Sequence, residues 1–322
     1  IELVRWCKLF MAHCTEKHTM ESRELLRDLN LESRRQFLEM ASDTGAKVIE
    51  RGLLSLCLTD KALHHEAEVA AMANEIGIGA ELCGPDRLAE LDPGIEMTVR
   101  GGIWFKQDCH MDPAEFMQGL MRKVIEMGAE IVTDTEVTGL KKGSHATANL
   151  EGISTPPDLQ IVLACGAWTS ELIKSLGLRM PLQAGKGYSL TLKEPRQQPK
   201  LCSLLAEASV AVTPMNNNLR FAGTREICGN DLSVNPRRVN GIVKSIQEYF
   251  PAYDPSAFDG ITPWAGLRPC SPDGLPYIGR IQGYSNLTVA SGHSMMGLSL
   301  GPVTGMLVSS ILTGSQTPDI RK

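Results

Sequence analysis

The chain has 322 residues, 43% of them hydrophobic, and a formal net charge of −5. That length supports a large core and two domains, and mild acidity without a Lys/Arg-rich run argues against a nucleic-acid partner. No apolar run reaches the ~20 residues that span a bilayer.

The opening IELVRWCKLF reads as the middle of a protein, so sequence upstream is expected and no targeting signal is legible. A helix is predicted over 21–42 from Leu26, Leu29, Phe37 and Met40, with Gly45 just past its end. Residues 51–58 read as a strand, and 63–77 as an alanine-rich helix stopped by glycine. Cys83-Gly84-Pro85-Asp86 enters another helix, Asp92-Pro93-Gly94 turns, and 101–105 is a strand. Asp112-Pro113 starts a helix with Asp as cap and Pro in the first turn. Phe116, Leu120, Val124 and Met127 mark its buried face, and Gly128 stops it before an expected strand over 130–133. The continuous apolar run 160–164 suits a buried parallel strand. It ends in a glycine turn, Cys165-Gly166-Ala167-Trp168.

From Gly187 the period changes to two. Residues 188–192, 209–213 and 219–223 alternate, and Asn216-Asn217-Asn218 makes a hairpin turn between the last two. This predicts an antiparallel sheet and hence a second domain. Helical spacing returns over 236–250. A turn-rich segment, GLRPCSPDGLPYIG (266–279), leads to a short strand at 286–290. Then comes SGHSMMGLSLGPVTG (291–305), a glycine-bracketed turn entering an apolar helix from about Leu298. Strand, glycine turn and helix together present backbone N–H groups and a positive helix end to a ligand that carries or gains negative charge.

The nine cysteines are scattered, with no CxxC pair. Reduced thiols in the cytoplasm follow, rather than a disulfide framework or a structural zinc. His64-His65 and Cys109-His110 lack partners at metal-ligand spacing, so no metal site is expected.

The two segments GLRPCSPDGLPYIG and SGHSMMGLSLGPVTG resemble the C-terminal signature of FAD-dependent amine and amino-acid oxidoreductases. The resemblance is to the D-amino-acid dehydrogenase branch, related to glycine and sarcosine oxidases. CHMDPAEF, IVLACGAWTSELIKSLGL, PLQAGKGYSLTL and LRFAGTREICGND agree in order, so the likeness runs from about Gly101 to the end. It implies an α/β (α+β) fold: a Rossmann-like FAD domain, incomplete at its N-terminus, with an antiparallel-sheet substrate domain. The expected division is 1–45, 111–180 and 266–322 for the FAD domain, and 46–110 with 181–265 for the substrate domain. The family's opening G-x-G-x-x-G does not occur in this sequence. Residues 1–322 alone are therefore expected to bind FAD weakly or not at all, and to aggregate or oligomerise.

The resemblance assigns roles by position. Arg268 would hold the substrate carboxylate, a match of planar fork to carboxylate. Tyr188 and Thr224 would hydrogen-bond substrate from the sheet, though both also read as ordinary strand residues. Gly292, His293, Ser294, Met295, Met296, Gly297 and Leu298 would lie along the flavin, with Gly297 expected at positive φ. His293, Met295 and Met296 serve packing as readily as chemistry. Gly166 and Trp168 would form a second flavin-proximal turn; Gly266 is also assigned to the cofactor, and the rigid segment from Gly266 to Pro269 would fix the direction of Arg268. Cys270 beside Arg268 invites comparison with covalent flavin cysteines, but the surrounding pattern differs.

The implied reaction is oxidative deamination of a small amino acid, a D-amino acid foremost, by hydride transfer to FAD. Oxygen, a quinone or another carrier would take the electrons. Two rivals remain: a glycine- or sarcosine-type amine oxidase, and a non-catalytic relic that keeps the fold without FAD. Peripheral association with the inner face of a membrane and homo-oligomerisation are left open.

Overall fold

The computed structural model describes residues 2–143, 148–150, 156 and 159–316. Two helices lead, α1 (Glu2–His13) and the long α2 (Glu16–Thr44). Thr15 caps α2 by accepting the His18 amide, and Gly45 ends it at φ 72°, a left-handed turn that suits glycine. Then come β1 (Leu53–Cys57), α3 (Asp60–Glu75), β2 (Ala80–Cys83), α4 (Pro85–Leu91) and β3 (Gly101–Phe105). α5 (Pro113–Glu126) opens as its sequence predicts: Asp112 accepts the Ala114 amide and Pro113 sits in the first turn. β4 (Leu140–Lys142), β5 (Ala148–Leu150), β6 (Ile161–Leu163), a 3-10 turn at Gly166–Trp168 and α6 (Thr169–Lys174) follow. The later half holds β7 (Gln183–Lys193), β8 (Cys202–Leu205), β9 (Val210–Met215), β10 (Asn218–Ile227) and α7 (Pro236–Tyr249). It closes with β11 (Trp264–Cys270), β12 (Tyr277–Arg280), β13 (Leu287–Ser291) and α8 (Gly301–Thr313).

Eight strands form one mixed sheet in the order β11-β7-β10-β9-β8-β1-β3-β2. All its pairs are antiparallel except β1 with β8. Strands from 53–105 and from 183–270 thus share a sheet. β12, β13 and β6 make a smaller sheet in which β6 and β13 run parallel, as the apolar run at 160–164 predicts.

The alternation of β7 and β10 divides the large sheet into two faces. Tyr188, Leu190, Leu192, Leu219 and Phe221 pack with Val239, Ile242, Val243 and Ile246 of α7 in the main core. Burying that face leaves the opposite face free for a site. α8 packs on α2 through Leu29, Leu300 and Val303, which fixes the loop before α8 relative to the sheet.

Two local expectations change. Residues 130–133 are not a strand: Ile131 and Val132 stand 45% and 63% exposed. Among the described residues no strand lies alongside to take their backbone hydrogen bonds, and an unpaired strand is not stable. α8 begins at Gly301 rather than near Leu298, leaving 297–300 as turn. The opening segment is a helix, anchored where the Trp6 indole N–H donates to the Cys270 carbonyl at 2.9 Å.

Candidate active site

Two glycines of β7, Gly185 and Gly187, clear the floor of the free sheet face. A Cβ at Gly187 would run into the guanidinium of Arg268, and one at Gly185 would meet the Cys270 thiol at 2.9 Å and the Arg225 stem at 3.6 Å. Arg268, on β11, therefore lies across β7 toward the sheet centre. Its Nη1 donates to the Thr224 carbonyl at 2.9 Å. No carboxylate pairs with it among the described residues, and Arg268 is half-buried. Burial first, then the neighbouring Arg225, push its pKa below the usual arginine value. An unpaired, desolvated guanidinium is a strong hydrogen-bond donor to a carboxylate.

A bulge in β10 supplies that neighbour. Gly223 pairs with Tyr188 and Glu226 with Lys186, so one extra residue is inserted, and Thr224 takes φ 73°. The insertion re-phases the strand. Arg225 turns onto the free face, where its Nη2 donates to the Met295 sulfur at 3.3 Å. Glu226 turns to the α7 face and accepts from the Tyr188 hydroxyl at 2.8 Å. Arg220, earlier on β10, lies over the Trp264 ring at 5.4 Å. Gly187, Arg220, Trp264, Gly266 and Arg268 enclose a cavity of about 200 Å³. A larger one of about 560 Å³ runs beneath α2, lined by Thr213, His110, Leu298 and Ser299. Thr213 pairs with Arg220, so both cavities open on one face.

The loop between β13 and α8 borders this face. The Ser294 amide donates to the Pro269 carbonyl at 2.9 Å, tying the loop to β11 beside Arg268. Gly292 has φ 78°, and a Cβ there would meet the Tyr277 ring at 2.8 Å. Ser294 also has positive φ, 51°. Gly297 does not, and a Cβ there meets only the His293 Cβ at 3.8 Å. Met295 and Leu298 are exposed, whereas Met296 packs with Leu29 and Leu300. The amides of Gly297, Leu298 and Ser299 make no hydrogen bond among the described residues, and α8 starts without a side-chain cap. Free amides, an uncapped helix end and an apolar rim fit the edge of a flat ring that gains negative charge. The turn at Gly166–Trp168 is stitched to the loop: Ser291 Oγ donates to the Gly166 carbonyl at 2.9 Å and accepts from Thr169 Oγ1 at 3.1 Å.

The structure thus brings together Arg268, Gly266, the Thr224 carbonyl, Met295, Gly297 and Leu298, with Gly166 close behind. Trp168 is exposed beside that turn. Two expected participants face elsewhere. The Tyr188 ring is buried on the α7 face, where its hydroxyl also accepts the Asn235 amide at 3.2 Å. Strand alternation puts it opposite Gly187. His293 is buried, and its Nε2 is 2.9 Å from the Thr304 hydroxyl of α8; burial lowers its pKa. Gly266 lies under the Trp264 ring, which a Cβ there would strike.

Arg220, Arg225 and Trp264 escaped the sequence reading. Arg220 and Arg225 are five apart, which in a regular strand puts them on opposite faces. Only the bulge unites them, and its sole trace is the glycine before Thr224.

Residues 5–311 match the family model described as FAD dependent oxidoreductase. The chain is 29% identical over 326 residues to a D-amino acid dehydrogenase of Vibrio atlanticus, covering 98% of this chain and 76% of that protein. It is 27% identical over 320 residues to a D-amino acid dehydrogenase of Granulibacter bethesdensis, covering 97% and 76%. The crystal structure of glycine oxidase from Geobacillus kaustophilus superposes with a TM-score of 0.80 at 23% identity, over 90% of this chain and 79% of that one. At that identity the likeness speaks for the fold. Because the family match runs from α1 into α8, through every strand of the large sheet, the chain belongs to the FAD-dependent oxidoreductase family, whose members use FAD.

Proposed function

We propose that this site oxidises a small amino acid, a D-amino acid foremost, to an imino acid that water hydrolyses to a 2-oxo acid and ammonia. The observation that carries the reading is Arg268, a half-buried guanidinium without a carboxylate partner beside the loop at 292–298. The names of the relatives from Vibrio atlanticus and Granulibacter bethesdensis support the same reaction.

Arg268 binds the substrate carboxylate through the N–H groups it does not give to Thr224. That contact fixes the α-carbon relative to the loop, and positioning supplies most of what the protein contributes. FAD, when bound, supplies the two-electron acceptor for the α-hydrogen. The free amides at 297–299 and the start of α8 would hold its anionic edge. Trp264 walls the space beside Arg268, and Met295 stands at its edge against Arg225. His293 is committed to Thr304 and is no general base; an amine that enters neutral needs none. Oxygen, a quinone or another carrier then takes the electrons.

No helix of the described residues is long and apolar enough to cross a membrane. All nine cysteines are free thiols, which supports a reducing compartment, the cytoplasm.

The test is Arg268→Ala in flavin-loaded protein. KM for the amino acid should rise by about 2–4 kcal/mol of lost pairing, with flavin content retained. Arg268→Lys should recover only part, since an ammonium cannot form the fork. An unchanged KM in the alanine variant removes Arg268 from carboxylate binding.

A further inference from the structure

Three guanidiniums crowd the free face of the large sheet: Arg220, Arg225 and Arg268. None is in an ion pair among the described residues. The contrast with the other face is sharp. There the buried Lys186 has its counter-ion, Asp231, at 3.1 Å. On the free face the Nε of Arg220 is buried without a partner. Asp112 at the start of α5 is the carboxylate whose charge reaches Arg220, and it stays beyond ion-pair distance. Like charges brought together and partly desolvated are unfavourable unless a ligand supplies the counter-charge.

The register tells how these groups converge. Arg220 pairs with Thr191 and Arg268 with Gly185, six residues apart along β7. Their Cα atoms are therefore far apart, roughly 20 Å along the strand. Their side chains close most of that gap. Arg268 reaches over Gly187, and Arg220 reaches over Trp264, whose ring lies above Gly266, the partner of Gly187. The two guanidiniums end at opposite walls of the same cavity of about 200 Å³. The glycine floor is covered by these groups, Gly187 by the Arg268 guanidinium and Gly266 by the Trp264 ring, so a ligand in the cavity lies on them rather than against the backbone.

The geometry points to a second anion subsite. Arg220, seated on Trp264, takes the distal carboxylate of a substrate whose α-carboxylate is held by Arg268. The substrate class is then an amino acid with a second carboxylate at the end of a short side chain. Arg225 adds positive potential beside Arg268. This inference rests on the amino-acid oxidation proposed above and narrows its substrate. A neutral amino acid would leave Arg220 unpaired, and that unpaired charge is a source of discrimination.

Two measurements test it, one of which needs no turnover. At equal ionic strength, succinate or glutarate should raise the melting temperature of the protein more than propionate does. Arg220→Gln should abolish that difference. In the flavin-loaded protein, D-aspartate or D-glutamate should have the higher kcat/KM against D-alanine. Arg220→Gln should lower the acidic-to-neutral ratio at least tenfold. Trp264→Leu, which removes the ring under Arg220, should lower the same ratio in a protein that keeps both arginines. Equal shifts from mono- and dicarboxylates, or a ratio that neither variant moves, overturn the subsite. Should D-alanine be oxidised and the acidic amino acids not be preferred, the subsite falls and the proposed reaction stands. Should no amino acid be oxidised, the reaction falls, and the carboxylate shifts alone decide the subsite.

Discussion

The Arg268 guanidinium occupies the space above Gly187 that a Cβ would fill. A strand normally presents a side chain at every second position of a face, and here that position is left bare so that an arginine from the adjacent strand can lie across it. Gly187→Ala should expel the guanidinium toward solvent and break its bond to the Thr224 carbonyl. The backbone of β7 tolerates alanine there, since Gly187 has no positive φ. KM for the amino acid should rise about tenfold or more, as expected for a loss of ~1.4 kcal/mol in a charged contact, while flavin content stays. A normal KM in that variant would show that Arg268 acts from another position.

Thr224 allows a second test, because the residue and its carbonyl can be separated. Its φ of 73° is a left-handed conformation that disfavours a β-branched side chain by about 1–2 kcal/mol. The carbonyl, not the hydroxyl, receives Arg268. Thr224→Gly should relieve that strain, offset in part by the ~0.5–1 kcal/mol that glycine loses in chain entropy. Stability should be equal or slightly higher by urea titration. Thr224→Ala should keep KM within about twofold. A large rise in KM on removing the hydroxyl alone would return Thr224 to direct substrate contact.

Much of this was legible in the sequence because local signals agreed with the fold. Asp112-Pro113, Gly45 and Asn216-Asn217 mark the ends of elements by capping and turn chemistry, and the structure uses them so. The alternating strands at 188–192 and 219–223 gave an antiparallel sheet for the same reason. What stayed hidden depends on partners. Residues 130–133 have strand composition but no neighbour to pair with. Tyr188 carries a functional hydroxyl type, yet alternation alone, counted from Gly187, turns it into the core. The arginine cluster needs the bulge at Thr224, a tertiary feature that a period of two cannot announce.

Gly297 separates fold from cofactor binding. A Cβ there meets only the His293 Cβ at 3.8 Å, ordinary contact, so a side chain is sterically tolerated by the chain itself. Its free amide and those of Leu298 and Ser299 lie at the uncapped start of α8. Gly297→Val should therefore melt within a few degrees of wild type but bind flavin more weakly, read as the ratio of visible to ultraviolet absorbance after gel filtration. Gly292→Val is the contrast: its Cβ meets Tyr277 and its φ is 78°, so it should lose stability as well. Full flavin content in the Gly297 variant would move the ring away from this turn.

His293 gives the loop a pH dependence of definite sign. The imidazole is buried, holds the Thr304 hydroxyl at 2.9 Å, and sits by the positive end of α8, which opposes a cation. Burial holds its pKa below the usual 6.5. The unfolded chain therefore binds the proton at a higher pH than the folded one. The stability contributed by neutral His293 is complete above the unfolded value and is lost as pH falls below it, at up to about 1.4 kcal/mol per pH unit for one proton. His110, also lowered by burial and then by Arg51, adds a slope of the same sign. Urea unfolding at about pH 7.5, 6.5 and 5.5 should show little change across the first step and a clear loss across the second. His293→Gln keeps an amide for Thr304 but cannot titrate, so it should flatten the second step by as much as one proton. If wild type and His293→Gln lose stability in parallel below about pH 6.5, the imidazole is not held neutral, and the loop does not owe its acid sensitivity to this residue.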